Sequence, residues 1–318
     1  MANALNTTEL VAALGAYNRD NPGRFTQQVF ARLQTLDHVT VVSLNDEMPL
    51  ITIGGADLIR PQKYDNAWNP VADAVKMPAR ILKVRPGKFD LEMIPTVLWK
   101  TWVGMNKKRG SADQHFIPFE EFIFTYLANK AADEIQRKTI WKGIHNASGS
   151  TATDVADGFE KIIEDSIAAA GTFDIPAGQV TDVGTISGSN AYDQAITVVR
   201  KLPEPMRERE TKGFMPWTFA DYYNDDYTAT FGAAPFNNAF DKQTIHGTNT
   251  SIVRTVGMTA GKLVVSEMEN LFVGFDDEGD LNSIQFEKNR RGIDVMFDFQ
   301  IGMQIADMRN VCYGYDAP

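Results

Sequence analysis

The stretch IDVMFDFQIGMQI, Ile293–Ile305, decides the reading of this chain. Ile293, Val295, Phe297, Phe299, Ile301, Met303 and Ile305 take every second place, and Asp294, Asp298, Gln300 and Gln304 fall between them. Side chains of a strand point alternately to opposite faces, so the pattern predicts a half-buried strand about twice the usual length. Its surroundings are strand-like as well. Ile252–Val256, Lys262–Val265, Phe272–Phe275 and Ile284–Phe286 are short candidates, with an acidic turn after Phe275. The C-terminal third is therefore β-rich.

Upstream the period changes. After Pro118, apolar residues at Phe122, Ile123, Tyr126, Leu127, Ala131, Ile135 and Trp141 draw one stripe on a helix of about 24 residues, about 36 Å long. Pro118 suits its first turn, Glu120 and Glu121 suit its positive end, and Gly143 closes it. A second helix is expected over 154–170, ended by Gly171, and a third from Asn190 to Leu202 before Pro203. Gly213–Trp217 reads as a short strand and Phe219–Tyr227 as a further helix. Tyr222, Tyr223 and Tyr227 are expected to pack that helix onto a sheet.

Residues 46–117 read differently. Pro49, Pro61, Pro70, Pro78, Pro86 and Pro95 recur at intervals of about ten, a spacing that no helix of ordinary length survives. Ile81–Val84 and Thr96–Trp99 look like strand pieces, with Arg85–Lys88 as a turn. An excursion this long is more often a binding arm than a structureless loop within a domain. Residues 1–45 carry Leu10, Leu14, Phe25, Val29, Phe30 and Leu33, which fit two short helices around Asn21-Pro22-Gly23.

The chain has 318 residues, of which 43% are hydrophobic and 23% charged, an ordinary globular balance that excludes a disordered chain, a collagen and a coiled coil. Its net charge of −10 lacks the basic footprint of a free-standing nucleic-acid binder. The charge is uneven, however. Nine basic residues between Lys76 and Arg109, Lys83, Arg85 and Lys88 among them, face only Asp90 and Glu92, a net of +7 that leaves −17 elsewhere. Asp276, Asp277, Glu278 and Asp280 form a dense acidic counterpart. The two surfaces are expected to meet between copies of the chain.

Catalytic and metal motifs fail in turn. The histidines, His38, His115, His145 and His246, are far apart, and one cysteine, Cys312, allows neither a disulfide nor a zinc cluster. Gly257–Leu263 comes nearest to a phosphate loop, but Leu263 replaces the magnesium-binding Ser/Thr and a spacer residue is missing. It reads as a turn. Asp276–Asp280 lacks the alternating ligands of a calcium loop. No catalytic residue, cofactor or metal is expected. No apolar run approaches a membrane span.

The order of elements resembles the major capsid proteins of tailed double-stranded-DNA bacteriophages, the Hong-Kong-ninety-seven-type fold. FEEFIFTYLANKAADEIQRKTIWKG (119–143) looks like that family's spine helix. AYDQAITVVRKLPEPMRERETKGFMPWTFADYY (191–223) looks like its axial domain. KLVVSEMENLFVG (262–274) and RGIDVMFDFQIGMQIADMRNVCY (291–313) look like terminal strands of its peripheral domain. The resemblance implies an α+β fold: an N-terminal arm (1–45), an extended loop (46–117), the spine helix (118–150), an axial α/β domain (151–255) and peripheral C-terminal strands (256–318). It implies a structural virion protein that assembles with itself as hexamers and pentamers around double-stranded DNA. It also implies portal, scaffolding and decoration proteins as partners, weak non-specific contact with DNA, no membrane, and synthesis in the host cytoplasm. With about 45 residues before the loop, a cleaved scaffolding segment is not expected. Two other classes compete: a different polymerising virion component such as a tail-tube protein, and an enzyme whose site escapes recognition.

Overall fold

In the computed structural model the described residues are 7–21, 23–55, 59, 70–71, 74–108, 119–232, 244–276, 284–290 and 292–316. The alternating stretch is strand β11 (Gly292–Ile305), fourteen residues long, with the odd-numbered side chains buried. Its length is used on both edges. One edge pairs antiparallel with β4 (Arg85–Met93), from Ile293 opposite Met93 to Ile301 opposite Arg85. The other is shared end to end by β10 (Gln285–Asn289) and β9 (Leu271–Phe275), and β9 carries the parallel strand β1 (Thr40–Ser43). A second five-stranded sheet has the order β5-β12-β8-β6-β7, built from β5 (Val180–Asp182), β6 (Thr211–Pro216), β7 (Thr250–Thr255), β8 (Leu263–Ser266) and β12 (Cys312–Tyr315).

Residues 256–318, expected as one peripheral unit, are thereby divided. The chain leaves the second sheet after β8, builds β9, β10 and β11 in the first, and returns for β12. The two crossings lie side by side and are stitched together. Asn270 Nδ2 donates to Ser266 Oγ (3.0 Å) and to the Asp307 carbonyl (2.8 Å), while Asp307 N–H donates to Asn270 Oδ1 (2.7 Å). Alternation showed that these strands have two faces but could not say which sheet each one joins.

The long helix is α4 (Phe119–Glu134), continued by a π-helical turn, Ile135–Thr139. Its buried face is rotated from the expected stripe. Tyr126 is 45% exposed, whereas Phe124, Ala128 and Ala132 are buried. Small alanines carry little hydropathy, so the face they form was under-counted. Its main helical neighbour is α2 (Arg24–Phe30), with α1 (Thr7–Asp20) also against it, and Phe124 reaches Phe286 of β10 directly, ring centroids 5.4 Å apart. Phe25 links the layers, edge-on to both Phe124 of α4 and Phe297 of β11, with centroids 5.9 and 4.9 Å away. The two helices expected in 1–45 do form. Their Leu14 and Val29 are fully buried in the main core, so residues 7–38 are part of the body. The π turn places Gln136 inside, where Nε2 donates to Thr35 Oγ1 (2.7 Å) and to the Val256 carbonyl (3.1 Å).

Two expectations for 46–117 are corrected. Arg85–Lys88 is not a turn but the start of β4. Thr96–Trp99 is not a strand but lies in α3 (Pro95–Lys108), a helix of fourteen residues. Pro95 is its first residue, where the missing N–H costs nothing, so a proline read as a breaker acts as a start.

The remaining helices are α5 (Phe159–Ala169), α6 (Ala191–Val199), α7 (Glu204–Arg207) and α8 (Trp217–Phe231). Helix α5 closes on Ala170 in the left-handed region (φ 48°), one residue before the expected glycine. Asn190 does not cap α6 with its side chain; its Oδ1 accepts from Ser187 N–H (2.8 Å) in the preceding turn. Helices α6 and α8 cover the second sheet in a core of their own. Tyr223 is buried there, as expected, and Tyr227 is buried against Tyr192 and Phe231, while Tyr222 faces outward at 42% exposure.

Candidate assembly surface

Strands β2 (Glu47–Ile51) and β3 (Ala79–Lys83) form a separate antiparallel ribbon, with Glu47 opposite Lys83 and Ile51 opposite Ala79. A bridge between Gly54 and Lys76 extends it. Directly opposed residues share a face. One face therefore holds Met48, Leu50, Arg80 and Leu82, and Leu50 and Leu82 are buried. The other holds Pro49, Ile51, Ile53, Val75, Met77, Ala79 and Ile81. Its large members are bare: Ile51 63%, Ile53 71%, Val75 59%, Met77 64% and Ile81 53% exposed. A row of such residues on one face is the composition of an interaction surface rather than of scattered exposure.

A notch in the first sheet seats the root of this ribbon. Gly302 of β11 and Gly274 of β9 stand opposite each other in register. A Cβ on Gly302 would stand 2.1 Å from the Lys83 carbonyl oxygen, and one on Gly274 would meet Leu44, Leu82 and Val84 side chains at 2.4, 3.2 and 3.3 Å. Only hydrogens leave room for backbone to lie this close to a sheet. Gln304 Nε2 completes the seat by donating to the Ile81 carbonyl (2.9 Å).

The charged residues expected to carry intersubunit contact fall in different places. Lys83 lies on the ribbon's outer face, 3.5 Å from Glu47. Arg85 and Lys88 belong to β4 in the body; Lys88 is exposed and bonds Asp90 at 2.8 Å, an interaction that raises its pKa. Asp276, expected on an exposed acidic turn, is only 5% exposed and accepts from Gln300 Nε2 (3.3 Å), so its carboxylate points into the protein. Asp277, Glu278 and Asp280 lie outside the described residues. The apolar ribbon face was not anticipated as a site. Its signal was present in the period of two across Ile51 and Ile53 and across Val75, Met77, Ala79 and Ile81.

The loop Gly257–Leu263 is a turn between β7 and β8. It holds an anion of its own chain. Glu160 of α5, 3% exposed, accepts from Thr259 N–H (2.7 Å), Thr259 Oγ1 (2.6 Å) and Lys262 Nζ (2.8 Å). Burial opposes the charge on Lys262, but the bonds to Glu160 and Glu164 prevail and raise its pKa. Cys312 is buried and its thiol is pushed up to about 12 by desolvation, far from the range of a nucleophile at neutral pH. Among the described residues no group of three His, Cys, Asp or Glu is placed to hold a metal ion, and no helix is long and apolar enough to cross a membrane. A cleft of about 1250 Å³ lies between β4, α4 and residues 145–155, lined by apolar Phe89, Leu127 and Phe299 together with charged Arg85, Lys88 and Asp298.

No family model matches the sequence, and no curated protein does. Solved structures do match. A chain of the satellite phage P4 procapsid that includes the size determination (Sid) protein superposes with a TM-score of 0.61 at 13% identity, covering 92% of this chain and 90% of that one. A chain of Mycobacterium phage Adephagia gives 0.54 at 10% identity, covering 90% of each. The capsid of an empty GTA particle gives 0.53 at 10% identity, again covering 90% of each. At this identity the likeness establishes the fold: the chain has the Hong-Kong-ninety-seven-type phage capsid fold, of mixed α+β class, over nine-tenths of its length.

Proposed function

We propose that the chain is a major capsid protein, a structural subunit that assembles with copies of itself as hexamers and pentamers into a closed icosahedral head around double-stranded DNA. The observation that carries this reading is the ribbon, a β-hairpin-like projection with one face seated in the body and the other bare and apolar. A monomer gains nothing from such a face, whereas a neighbour can cover it. The capsid fold supplies the context. The reading carries no catalytic role. It places the protein in the virion after synthesis in the host cytoplasm, with portal, scaffolding and decoration proteins as further partners. Contact with packaged DNA is weak and non-specific, in keeping with a net charge of −10.

Negative-stain microscopy of the purified chain tests it directly: shells or capsomers are expected, and tubes or dispersed particles would refute it. Deleting residues 55–75, which spares β2, β3 and β4, is expected to leave a folded monomer that no longer assembles. Normal shells from that deletion would confine the interface to the part of the ribbon that remains, Ile51, Ile53, Met77 and Ile81.

A further inference from the structure

The ribbon is held at a second station, beyond its root. Arg309, in the turn between β11 and β12, donates from Nη2 to the Ile53 carbonyl (3.3 Å), and its guanidinium lies over the Phe173 ring, 5.3 Å from the centroid. Asp307 braces that guanidinium, accepting from Nη2 at 2.7 Å and from Nε at 2.9 Å. On the other strand of the ribbon, Arg80 Nη1 donates to Asp174 Oδ1 (3.2 Å). Asp174 is fixed in turn by Ser166 Oγ (2.9 Å) and Gly171 N–H (3.0 Å). Gly54 permits the approach, because a Cβ there would stand 2.5 Å from Arg309 Nη1 and 2.8 Å from Phe173 Cε1.

We infer that Arg309 and Asp174 form a releasable clasp that sets the angle of the ribbon on the body and thereby how its apolar face is presented to a neighbouring copy; its consequence for assembly rests on the capsid reading. The two stations differ in kind. The root is fixed by buried Leu82 and Val84 in the glycine notch, and shifting it means exposing core. The second station consists of hydrogen bonds and a cation over a ring, which water can replace. Arg80 adds an independent sign. Its Nε is buried without an acceptor among the described residues, so the guanidinium regains hydrogen bonds when the ribbon lifts. Burial works against the charge on Asp174, yet the bonds from Ser166, Gly171 and Arg80 outweigh it and hold its carboxyl below the ordinary range, so the acceptor half of the clasp stays charged. A ribbon fixed at its root and loosely held further out pivots about the root. The angle at which its apolar face meets a neighbour then follows from whether the clasp is closed.

The test separates orientation from assembly. Cys312 is buried, so spin labels at Met77→Cys on the ribbon and Asp193→Cys on α6 report the ribbon's angle in the unassembled chain. The parent is expected to give one narrow distance distribution. Arg80→Gln, which leaves the Arg309–Asp307 pair intact, should broaden it about twofold, and Arg80→Gln with Arg309→Gln should broaden it further. Unlabelled Arg80→Gln should assemble more slowly than the parent in light scattering. An unchanged narrow distribution in the double variant overturns the clasp; if that variant does not fold by circular dichroism, an unchanged distribution in Arg80→Gln alone does so. A broadened distribution with a parental assembly rate overturns the link between angle and assembly. Absence of particles from the parent itself refutes the capsid reading instead.

Discussion

The β4–β11 pair and the β2–β3 ribbon are both antiparallel and each carries a row of apolar side chains at every second residue, yet these rows end in opposite states. On β11 the alternate residues Val295, Phe297 and Ile301 are buried under α2, α4 and their neighbours. On the ribbon the apolar face of Ile51, Ile53, Met77 and Ile81 stands bare, each residue more than half exposed. A period of two therefore announces that a strand has an apolar side and is silent on what covers it. In one pair the cover is supplied by the same chain. In the other, on the capsid reading, it comes from the next.

The largest effect that can break this comparison is a matched pair of truncations. Phe297→Ala removes a ring packed against Phe25, Phe89 and Phe299 and should cost about 3–5 kcal/mol of monomer stability in denaturant unfolding. Ile53→Ala should leave the monomer within about 0.5 kcal/mol of the parent while lowering the yield of assembled particles in sedimentation. Equal losses of stability in the two would mean that the ribbon face is covered within the monomer after all.

Of the first pair, β11 was legible in sequence, since it is long and strictly alternating, and β4 was not, its start being read as a turn. What was not legible has identifiable causes. Pro95 was weighed as a breaker because proline is forbidden inside a helix, while the first turn tolerates it. The sheet membership of β8 and β12 was hidden because alternation names no partner. The charge split between Lys76–Arg109 and the acidic turn suggested one complementary contact. The fold separates Lys83 on the ribbon from Arg85 and Lys88 on β4 and turns Asp276 inward. Net charge in a window of sequence does not survive the folding of that window into two places.

An intermediate effect should come from the joint between the two pairs. Gly302→Ala puts a methyl where the Lys83 carbonyl oxygen lies 2.1 Å away, and backbone must move to admit it. About 1–3 kcal/mol of stability should be lost, the usual range for an overfilled site. Hydrogen exchange should quicken at 79–84 before it does in β9 or β10. Uniform quickening across the first sheet would show that the ribbon is not seated independently there.

The smallest effect concerns charge. Reversing Lys83 and Lys88 to glutamate should change the melting temperature by less than about 2 °C, because exposed pairs such as Lys83–Glu47 are worth about 0–1 kcal/mol. Assembly should slow at low salt, and the difference should fade above about 0.5 M salt, where fields between exposed charges are screened. An assembly rate identical to the parent at low ionic strength would confine the ribbon's contribution to its apolar face.

The paired crossings between the sheets have a mechanical consequence. Two separate passages of the chain, 266–271 and 305–312, span the gap next to each other, and Asn270 and Asp307 bond one to the other. A pull that tends to part the sheets is shared by these two adjacent passages, bonded one to the other, and by the longer passage from β4 through the helices to β5. Rotation about a single tether, the easy mode of a molecule joined by one linker, is blocked as well. The two halves form a stiff beam with its joint doubled, and compliance under load is left to the ribbon.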